Sequence, residues 1–431
     1  MMTIAKSDRA SRLKLLLSVL LFAALLLYAA ALYRHIGYPL MWADESMTAV
    51  GAQRVLQFGY PKVHDGRNVF YDLRHSDLTL GIEPRTDAYI GGAGWLQYYF
   101  AAPFVALTAD DEDLYHKTAL LRIPFATVGF AGLLILLGMA WRVFPDRVDR
   151  RLAATTFVLL LIPSIPLMLH LREVRYYPLQ LFLSSVALAT LFAGLKENGW
   201  RSRGSVVLIA LLVPLLFLSF APAALALCLT AGIFHAGKWV AEYLRGSQGA
   251  LQGHYIPPLL GLFAGGLLLV PLVMFFRSFS ISRQLASFYG FSLAGYLENL
   301  AVIGGYFSRY DILLFAVMIK LVLLFLWYRH GSVETLSPAL RLSALLTLYL
   351  VVHALCVANI PNRLFTRYFI TLQPMLALGF ALDLVLLWRL SPRLPARLRA
   401  SVRSFAALFL LGSLLWSYGR NQPFMAGRLA E

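Results

Sequence analysis

Long apolar runs recur along the whole chain and alternate with short polar clusters. The run from Leu15 to Tyr33 contains no charged residue, and at about 1.5 Å per helical residue it is long enough to cross a hydrocarbon core of about 30 Å. Comparable runs predict an all-α polytopic membrane protein with about eleven spanning helices, within a range of ten to thirteen. They cover residues 13–33, 118–141, 152–170, 176–195, 205–220, 221–236, 255–276, 311–328, 342–358, 367–389 and 403–418. Pro214 and Pro222 leave open a single kinked helix in place of the fifth and sixth spans.

The composition agrees with lipid as the main solvent of the chain. Of its 431 residues, 59% are hydrophobic and 14% are charged, whereas soluble globular domains carry about 25% charged residues. The net charge of +16 first suggests nucleic acid, but the basic residues form separate clusters between apolar runs and no single stripe. We therefore expect membrane lipids and no nucleic acid among the partners.

The basic clusters also predict the orientation of the helices. The positive-inside rule places loops rich in Lys and Arg in the cytoplasm, which puts the N-terminus and the clusters at 142–151, 196–203 and 393–403 on that side. The first apolar run exceeds the roughly 7 to 15 residues of a signal-peptide core, so we expect it to remain as a helix. The sequence predicts one transmembrane domain over 1–431, in the cytoplasmic membrane of a bacterium.

Two long connections lie on the opposite, external side in this topology. The first external loop, 34–117, contains half of the 22 acidic residues of the chain and should include short amphipathic helices. Its apolar segment Gly94 to Thr108 is too short to cross comfortably, so we expect it to be interfacial or re-entrant. The second external loop, 277–310, carries Arg277 and Arg283 as substrate-binding candidates.

Metal and redox chemistry have little support in the sequence. Cys228 and Cys356 lie inside apolar runs and suggest neither a disulfide framework nor a metal site. The first external loop contains two histidines among aspartates, without a spacing that singles out ligands; these residues are His64, His75, Asp65, Asp72 and Asp77. We expect a solvated, hydrogen-bonded loop there, and no metal or other cofactor.

A pair of adjacent acids follows the first predicted span. The stretch "DESMTAVGAQRVLQFGYP" predicts a short helix that ends at Gly59. The residues near its apolar face are Met47, Val50, Val55 and Phe58. Asp44 falls at or near the N-cap, where a carboxylate accepts backbone N–H bonds. The position of Asp44 in the sequence is compatible with a role in capping the helix and with a role in catalysis.

Two further stretches concentrate charge at the external ends of predicted helices. "HLREVRYYPLQLFL" carries ionisable groups at membrane depth, which are costly unless they pair or serve a site; its candidates are His170, Arg172, Glu173, Arg175, Tyr176 and Tyr177. "NRLFTRYFITLQP" places Arg363 and Arg367 on the side that the positive-inside rule disfavours. Guanidinium groups bind phosphate bidentately, so an anion site would explain them. A surface ion-pair network and contacts to lipid headgroups are the alternatives.

These three stretches, in this order, resemble the GT-C glycosyltransferases, the polytopic class that includes protein O-mannosyltransferases and the bacterial lipid A aminoarabinose transferase. "WADES" matches their acidic pair after the first helix. "LREVRYYPLQLFLSSVALATLF" resembles their arginine-aromatic helix start, and "RYFITLQPMLALGF" resembles their late "RYxxxxxPxxxL" helix. The resemblance extends over roughly residues 1–390. It departs from the class at "GGAGWLQYY", where many relatives carry a "PPL" element.

The resemblance implies transfer of a sugar from a polyprenyl-phosphate donor to a glycan, lipid or protein acceptor at the outer face of the membrane. It implies that Asp44 acts as the general base, with Glu45 holding the acceptor or tuning its neighbour. Arg363 and Arg367, followed by Arg172 and Arg175, are the implied phosphate ligands. Two other functions stay open. A lipid-linked glycan ligase or polymerase would not need Asp44, and a transporter would use bundle charges such as Lys320, Arg341, His353 and Asp383.

Overall fold

The computed structural model describes residues 2–69, 73–75, 78–91, 94–194, 203–244, 256–290, 292–330, 337–360 and 364–430. Within these ranges the chain forms α1 (Met2–Tyr33), α2 (Ala43–Phe58), α3 (Leu96–Leu107), α4 (Leu114–Val143), α5 (Arg147–Leu161), α6 (Ile165–Arg172), α7 (Tyr176–Gly194), α8 (Arg203–Leu244), α9 (Ile256–Phe275), α10 (Ser278–Tyr289), α11 (Leu293–Tyr310), α12 (Leu313–His330), α13 (Ser337–Ala358), α14 (Gln373–Leu390) and α15 (Ala396–Ala430). Two small hairpins pair β1 (Leu73–His75) with β2 (Leu78–Leu80) and β3 (Ile82–Glu83) with β4 (Ala88–Tyr89).

The predicted all-α polytopic class is confirmed. Eight helices of the described chain are long and apolar enough to cross a membrane, and two bent pairs, α5 with α6 and α11 with α12, raise the number to ten. The segments of these pairs meet at 81° and 90°. The protein is therefore an integral membrane protein.

Helix α8 is kinked at Phe220, and this kink positions aromatic side chains. Phe220 has an extended backbone (φ −155°, ψ 101°) within the helix. Its ring stacks on Tyr176 at the start of α7, yet His235, fifteen residues later, lines a cavity with Leu191 near the end of α7. The second half of α8 therefore runs alongside α7. The two predicted spans over 205–236 correspond to this one kinked helix, the alternative that Pro214 and Pro222 left open.

The core of the bundle surrounds α14, whose apolar window is completely buried. This helix packs against α5, α12 and α13, and it carries a charged residue at its centre. The Asp383 carboxylate lies 2.7 Å from Lys320 Nζ on α12 and accepts a hydrogen bond of 2.5 Å from Ser343 on α13. Because Lys320 and Asp383 form an ion pair, the presence of both charges inside the bundle is explained without a transported ion.

The 34–117 region packs at one end of the bundle. It contains α2, the two hairpins and α3, which packs along α2. The predicted interfacial segment Gly94 to Thr108 corresponds to α3, a helix of 12 residues. Gly94 lies so close to the kink of α8 that an added Cβ would be 1.9 Å from the carbonyl oxygen of Leu218. Within the departure "GGAGW", the glycine at position 94 thus has a steric reason.

Gly94→Ala is expected to lower the free energy of unfolding by about 1–3 kcal/mol, the usual cost of overpacking. The atom in the way of the added methyl group is the backbone carbonyl oxygen of Leu218, which cannot rotate aside. The start of α3 must therefore move away from α8. Thermal unfolding in detergent would measure the loss. Gly138→Ala is the matched control, because a Cβ at Gly138 meets nothing within 4 Å and alanine suits a helix interior. Equal unfolding temperatures for the two variants would contradict the packing argument.

Candidate functional site

Three segments that are distant in sequence meet at this end of the bundle, which we call the site end. They are the start of α2, the junction between α6 and α7, and the 3₁₀ turn Thr366–Tyr368. Asp44 Oδ2 lies 2.8 Å from Arg367 Nη1 and 3.7 Å from Arg175 Nη2. The two predicted arginines and the predicted carboxylate therefore form one cluster, which we call the Asp44 cluster.

Asp44 does not cap its helix. The N-cap residue of α2 is Trp42, so Asp44 is the second helical residue and its side chain makes no capping bond. The two adjacent acids point in different directions, as expected of neighbours about 100° apart on a helix. Asp44 faces the arginines, whereas Glu45 faces the bundle.

Glu45 is a completely buried structural residue. Its carboxylate accepts two hydrogen bonds from Arg122 on α4, from Nε at 2.9 Å and from Nη2 at 2.6 Å. It also accepts the backbone N–H of Val174 at 3.0 Å. Arg122 Nη1 donates to the carbonyl oxygens of Ile36 and Pro39, at 3.0 and 2.7 Å. These bonds engage both carboxylate oxygens of Glu45. The implied roles of Glu45, holding the acceptor or tuning Asp44, stay predictions.

The two arginines of the "LREVR" stretch have different surroundings. Arg172 is buried and donates to the carbonyl oxygens of His35 and Tyr38, at 2.6 and 3.0 Å. These bonds hold the chain that leaves α1. Arg175 donates to the carbonyl oxygen of Asp44 at 3.1 Å and to the Thr48 hydroxyl at 3.4 Å. Arg175 therefore lies beside Asp44, and the phosphate-binding role of both arginines stays a prediction.

Aromatic rings surround both guanidinium groups of the cluster. Arg367 lies over three rings, those of Phe365 at 4.5 Å, Trp42 at 5.4 Å and Tyr368 at 5.5 Å. Arg175 lies 5.7 Å from the Tyr176 ring. Phe220, from the kink of α8, stacks between Tyr176 and Tyr368. Such contacts position a guanidinium and leave its N–H groups available.

Several polar atoms near the cluster are buried without a hydrogen bond to any described residue. Among them are the Nε atoms of Arg175 and Arg367, the Tyr177 hydroxyl and Glu173 Oε2. Buried polar groups normally have hydrogen-bond partners, and exceptions mark a bound water, an ion or a functional role. Most of these are donors, so an anion would satisfy them.

The other predicted site residues lie outside the Asp44 cluster or outside the described residues. His170 Nδ1 and Glu173 Oε1 are 3.0 Å apart at the end of α6. Arg277 pairs with Glu83 of β3 at 3.4 Å, and Arg283 is exposed on α10. Arg363 lies outside the described residues. The backbone N–H of Thr86 is the main group that holds the pKa of the Glu83 carboxyl below its usual range.

The candidate metal region shows ordinary loop contacts where it is described. His64 Nδ1 lies 2.6 Å from Asp87 Oδ1, and Asp65 pairs with Arg54. The backbone N–H of Asn68 and the Arg54 guanidinium hold the pKa of the Asp65 carboxyl well below its usual range. Asp72 and Asp77 lie outside the described residues, as does the side chain of His75. Within the described ranges, no three His, Cys, Asp or Glu residues come together as metal ligands would.

Sequence reasoning missed residues that complete the site. Arg122 had a usable signal, since it is an arginine inside a predicted span. Thr48 and Gln97 are both completely buried, and the Thr48 hydroxyl donates to Gln97 Oε1 at 3.3 Å. Phe220 had no local signal, because its role depends on where the kink of α8 places its ring.

The fold and the cluster define an integral membrane protein with a polar site at one end of its helical bundle. Its structure is similar to the crystal structure of ArnT from Cupriavidus metallidurans in the apo state, with a TM-score of 0.52 and 14% sequence identity. The match covers 99% of this chain and 77% of that chain. At this identity the likeness establishes the fold, and the predicted resemblance to the GT-C class is confirmed at that level. Neither a protein-family model nor a curated protein sequence matches the chain.

Proposed function

We propose that the protein is a membrane glycosyltransferase that moves a sugar from a polyprenyl-phosphate donor to an acceptor hydroxyl in the cell envelope. The Asp44 cluster carries the proposal, because it combines one carboxylate with two guanidinium groups in a partly exposed site. Sugar transfer needs a base for the acceptor and cations for the leaving phosphate. The ArnT-like fold is consistent with this chemistry.

In the proposed mechanism, Asp44 accepts the proton of the acceptor hydroxyl while the hydroxyl oxygen attacks the anomeric carbon. The bond from that carbon to the phosphate oxygen breaks, and its electron pair leaves with the polyprenyl phosphate. Arg367 and Arg175 bind the phosphate and stabilise its growing charge, using donors such as their unpaired Nε–H groups. Direct displacement inverts the anomeric centre. Glu45 takes no part in proton transfer and fixes the helix that carries Asp44.

The distribution of charge supports a site on the outer face of a bacterial inner membrane. Helix α4 runs from the site end, where Arg122 binds Glu45, to Arg142 at its other end. The basic cluster 142–151 therefore lies opposite the Asp44 cluster, and the positive-inside rule assigns it to the cytoplasm. The exposed rings of Trp42 and Phe365 beside Arg367 suit a membrane boundary.

The proposal is tested with membranes that contain the protein and with membranes from an empty-vector strain. Each is given a panel of radiolabelled polyprenyl-phosphate sugars, and the envelope glycans of a deletion strain are analysed by mass spectrometry. We expect protein-dependent transfer from one donor and the loss of one sugar mass from a glycan. Absence of transfer from every donor, with unchanged glycans, would favour a ligase, polymerase or transporter.

Arg367→Gln is expected to weaken binding of a polyprenyl phosphate about tenfold or more, since a hydrogen bond to a charged group contributes about 1.5–3 kcal/mol. Binding would be measured on the protein in lipid nanodiscs. Arg142→Gln is the control, because Arg142 is an exposed arginine at the opposite end of α4. An equal loss in both variants would indicate general attraction of the basic protein for anionic lipid, and would refute a specific phosphate contact.

A further inference from the structure

The base of the proposed reaction is engaged in this structure. Asp44 Oδ2 is buried and lies beside both guanidinium groups of the cluster, at 2.8 Å from Arg367 and 3.7 Å from Arg175. These are the same groups that the proposed function assigns to the donor phosphate. The Asp44 carboxylate therefore occupies the position beside the arginines that the donor phosphate must take.

We infer that Asp44 and the donor phosphate compete for Arg367, so that donor binding releases the carboxylate for the acceptor. The inference rests on the proposed function, and it adds how the availability of Asp44 as the base is regulated. The resting enzyme would hold its base under Arg367. Donor would bind before acceptor, and the base would become available only when a sugar is present to react.

The two arginines are held in ways that single out Arg367 as the one that changes partner. Arg175 is anchored to α2 by its hydrogen bonds to the Asp44 carbonyl oxygen and the Thr48 hydroxyl. Arg367 is held by aromatic rings and by its ion pair with Asp44. Ring contacts are weakly directional, so this guanidinium can turn toward a phosphate without breaking a backbone hydrogen bond.

Accessibility agrees with an exchange of partners. The side chains of Arg367 and Asp44 are 20% and 22% exposed, whereas the buried pair of Arg122 and Glu45 is 5% and 0% exposed. A partly exposed ion pair is easier to separate than a buried one, because water can solvate its two charges as they part. A phosphate that arrives from the bilayer surface can therefore displace Asp44 from Arg367, while it cannot reach the pair behind.

The test is the affinity of a sugar-free polyprenyl phosphate for variants of the full-length protein in lipid nanodiscs. Asp44→Asn removes the competing anion, so we expect binding to become about tenfold tighter, the factor that 1.4 kcal/mol represents. Asp44→Ser should act in the same direction, which guards against a new bond made by the asparagine amide. Asp111→Asn is the control, because Asp111 lies in the loop before α4 and pairs with His116. The affinity of this variant for polyprenyl phosphate should equal that of the unmutated protein.

A double-mutant cycle separates partner exchange from simple repulsion between carboxylate and phosphate. If the exchange runs through Arg367, the gain from Asp44→Asn disappears when Arg367→Gln is also present. Repulsion through space would leave the gain intact in that background. In the Arg277→Gln background the gain should persist, because Arg277 pairs with Glu83.

The outcomes distinguish this inference from the proposed function. If the unmutated protein binds polyprenyl phosphate but Asp44→Asn and Asp44→Ser bind it with equal or lower affinity, the competition is refuted and the function stands. A gain that survives Arg367→Gln also refutes it. If the unmutated protein and every variant fail to bind the lipid, the proposed donor is wrong, and the inference falls with it.

Discussion

Sugar transfer by Asp44→Asn is expected to be about 10²–10⁴-fold slower than by the unmutated protein, the usual contribution of a positioned general base. Asparagine matches the shape of aspartate but cannot take the proton of an attacking hydroxyl. The fold should be preserved, because the Asp44 side chain neither caps α2 nor packs in the core. The measurement is the initial rate of transfer from the donor that the membrane assay identifies, with purified protein in nanodiscs.

Two controls make the result specific. Asp111→Asn removes a carboxylate from the same region outside the Asp44 cluster, and it should retain full activity. Thermal unfolding should show that Asp44→Asn is folded at the assay temperature, since asparagine keeps the shape of the partly exposed Asp44 side chain. Full residual transfer by Asp44→Asn would remove Asp44 as the base, and would favour a ligase or polymerase that uses the arginines alone.

The fold could be predicted from the sequence because lipid imposes a pattern that is readable along the chain. Apolar runs of about 20 residues mark the spans directly, and basic clusters orient them. Pro214 and Pro222 indicated the kink of α8. The angles within the two bent pairs were not predictable in this way, because they depend on packing between distant helices. The short hairpins β1–β2 and β3–β4 were also missed, since two or three residues carry no periodic signal.

The site was predictable in its membership and less so in its roles. Topology alone placed Asp44, Arg175 and Arg367 on one side, and the structure brings them together. The difference between Asp44 and Glu45 could not be read from spacing, because it is set by Arg122, which lies 77 residues further along the chain. The same holds for Arg172 and Arg175, three residues apart.

The buried face of α2 shows why a simple apolar pattern failed there. The sequence assigned this face to Met47, Val50, Val55 and Phe58, but the residues that are buried include Glu45, Thr48, Gly51, Ala52 and Arg54. Polar side chains can occupy a buried face when they have ion-pair or hydrogen-bond partners there. Glu45 pairs with Arg122, Thr48 bonds to Gln97 and Arg54 pairs with Asp65. These contacts orient the helix together with the apolar packing of Ala52 and Val55.

Arg122→Met is expected to lower the free energy of unfolding by about 3–5 kcal/mol, because it leaves a buried carboxylate without its cation. Glu45 is completely buried and both of its oxygens bond to Arg122. Thermal unfolding in detergent and the yield of folded protein would show the loss. His116→Ala is the control, because His116 and Asp111 form an exposed pair that contributes about 1 kcal/mol or less.

A double variant decides whether the charge or the volume of this pair matters. Replacing both Glu45 and Arg122 with methionine removes the unpaired charge, so most of the stability lost by Arg122→Met should return. Recovery should be incomplete, since the backbone N–H of Val174 loses its acceptor on Glu45. Val174 precedes Arg175, so this bond also fixes the arginine beside Asp44. The double variant should therefore fold and still transfer sugar more slowly than the unmutated protein. Full activity in the stable double variant would show that Glu45 has no part in positioning the Asp44 cluster.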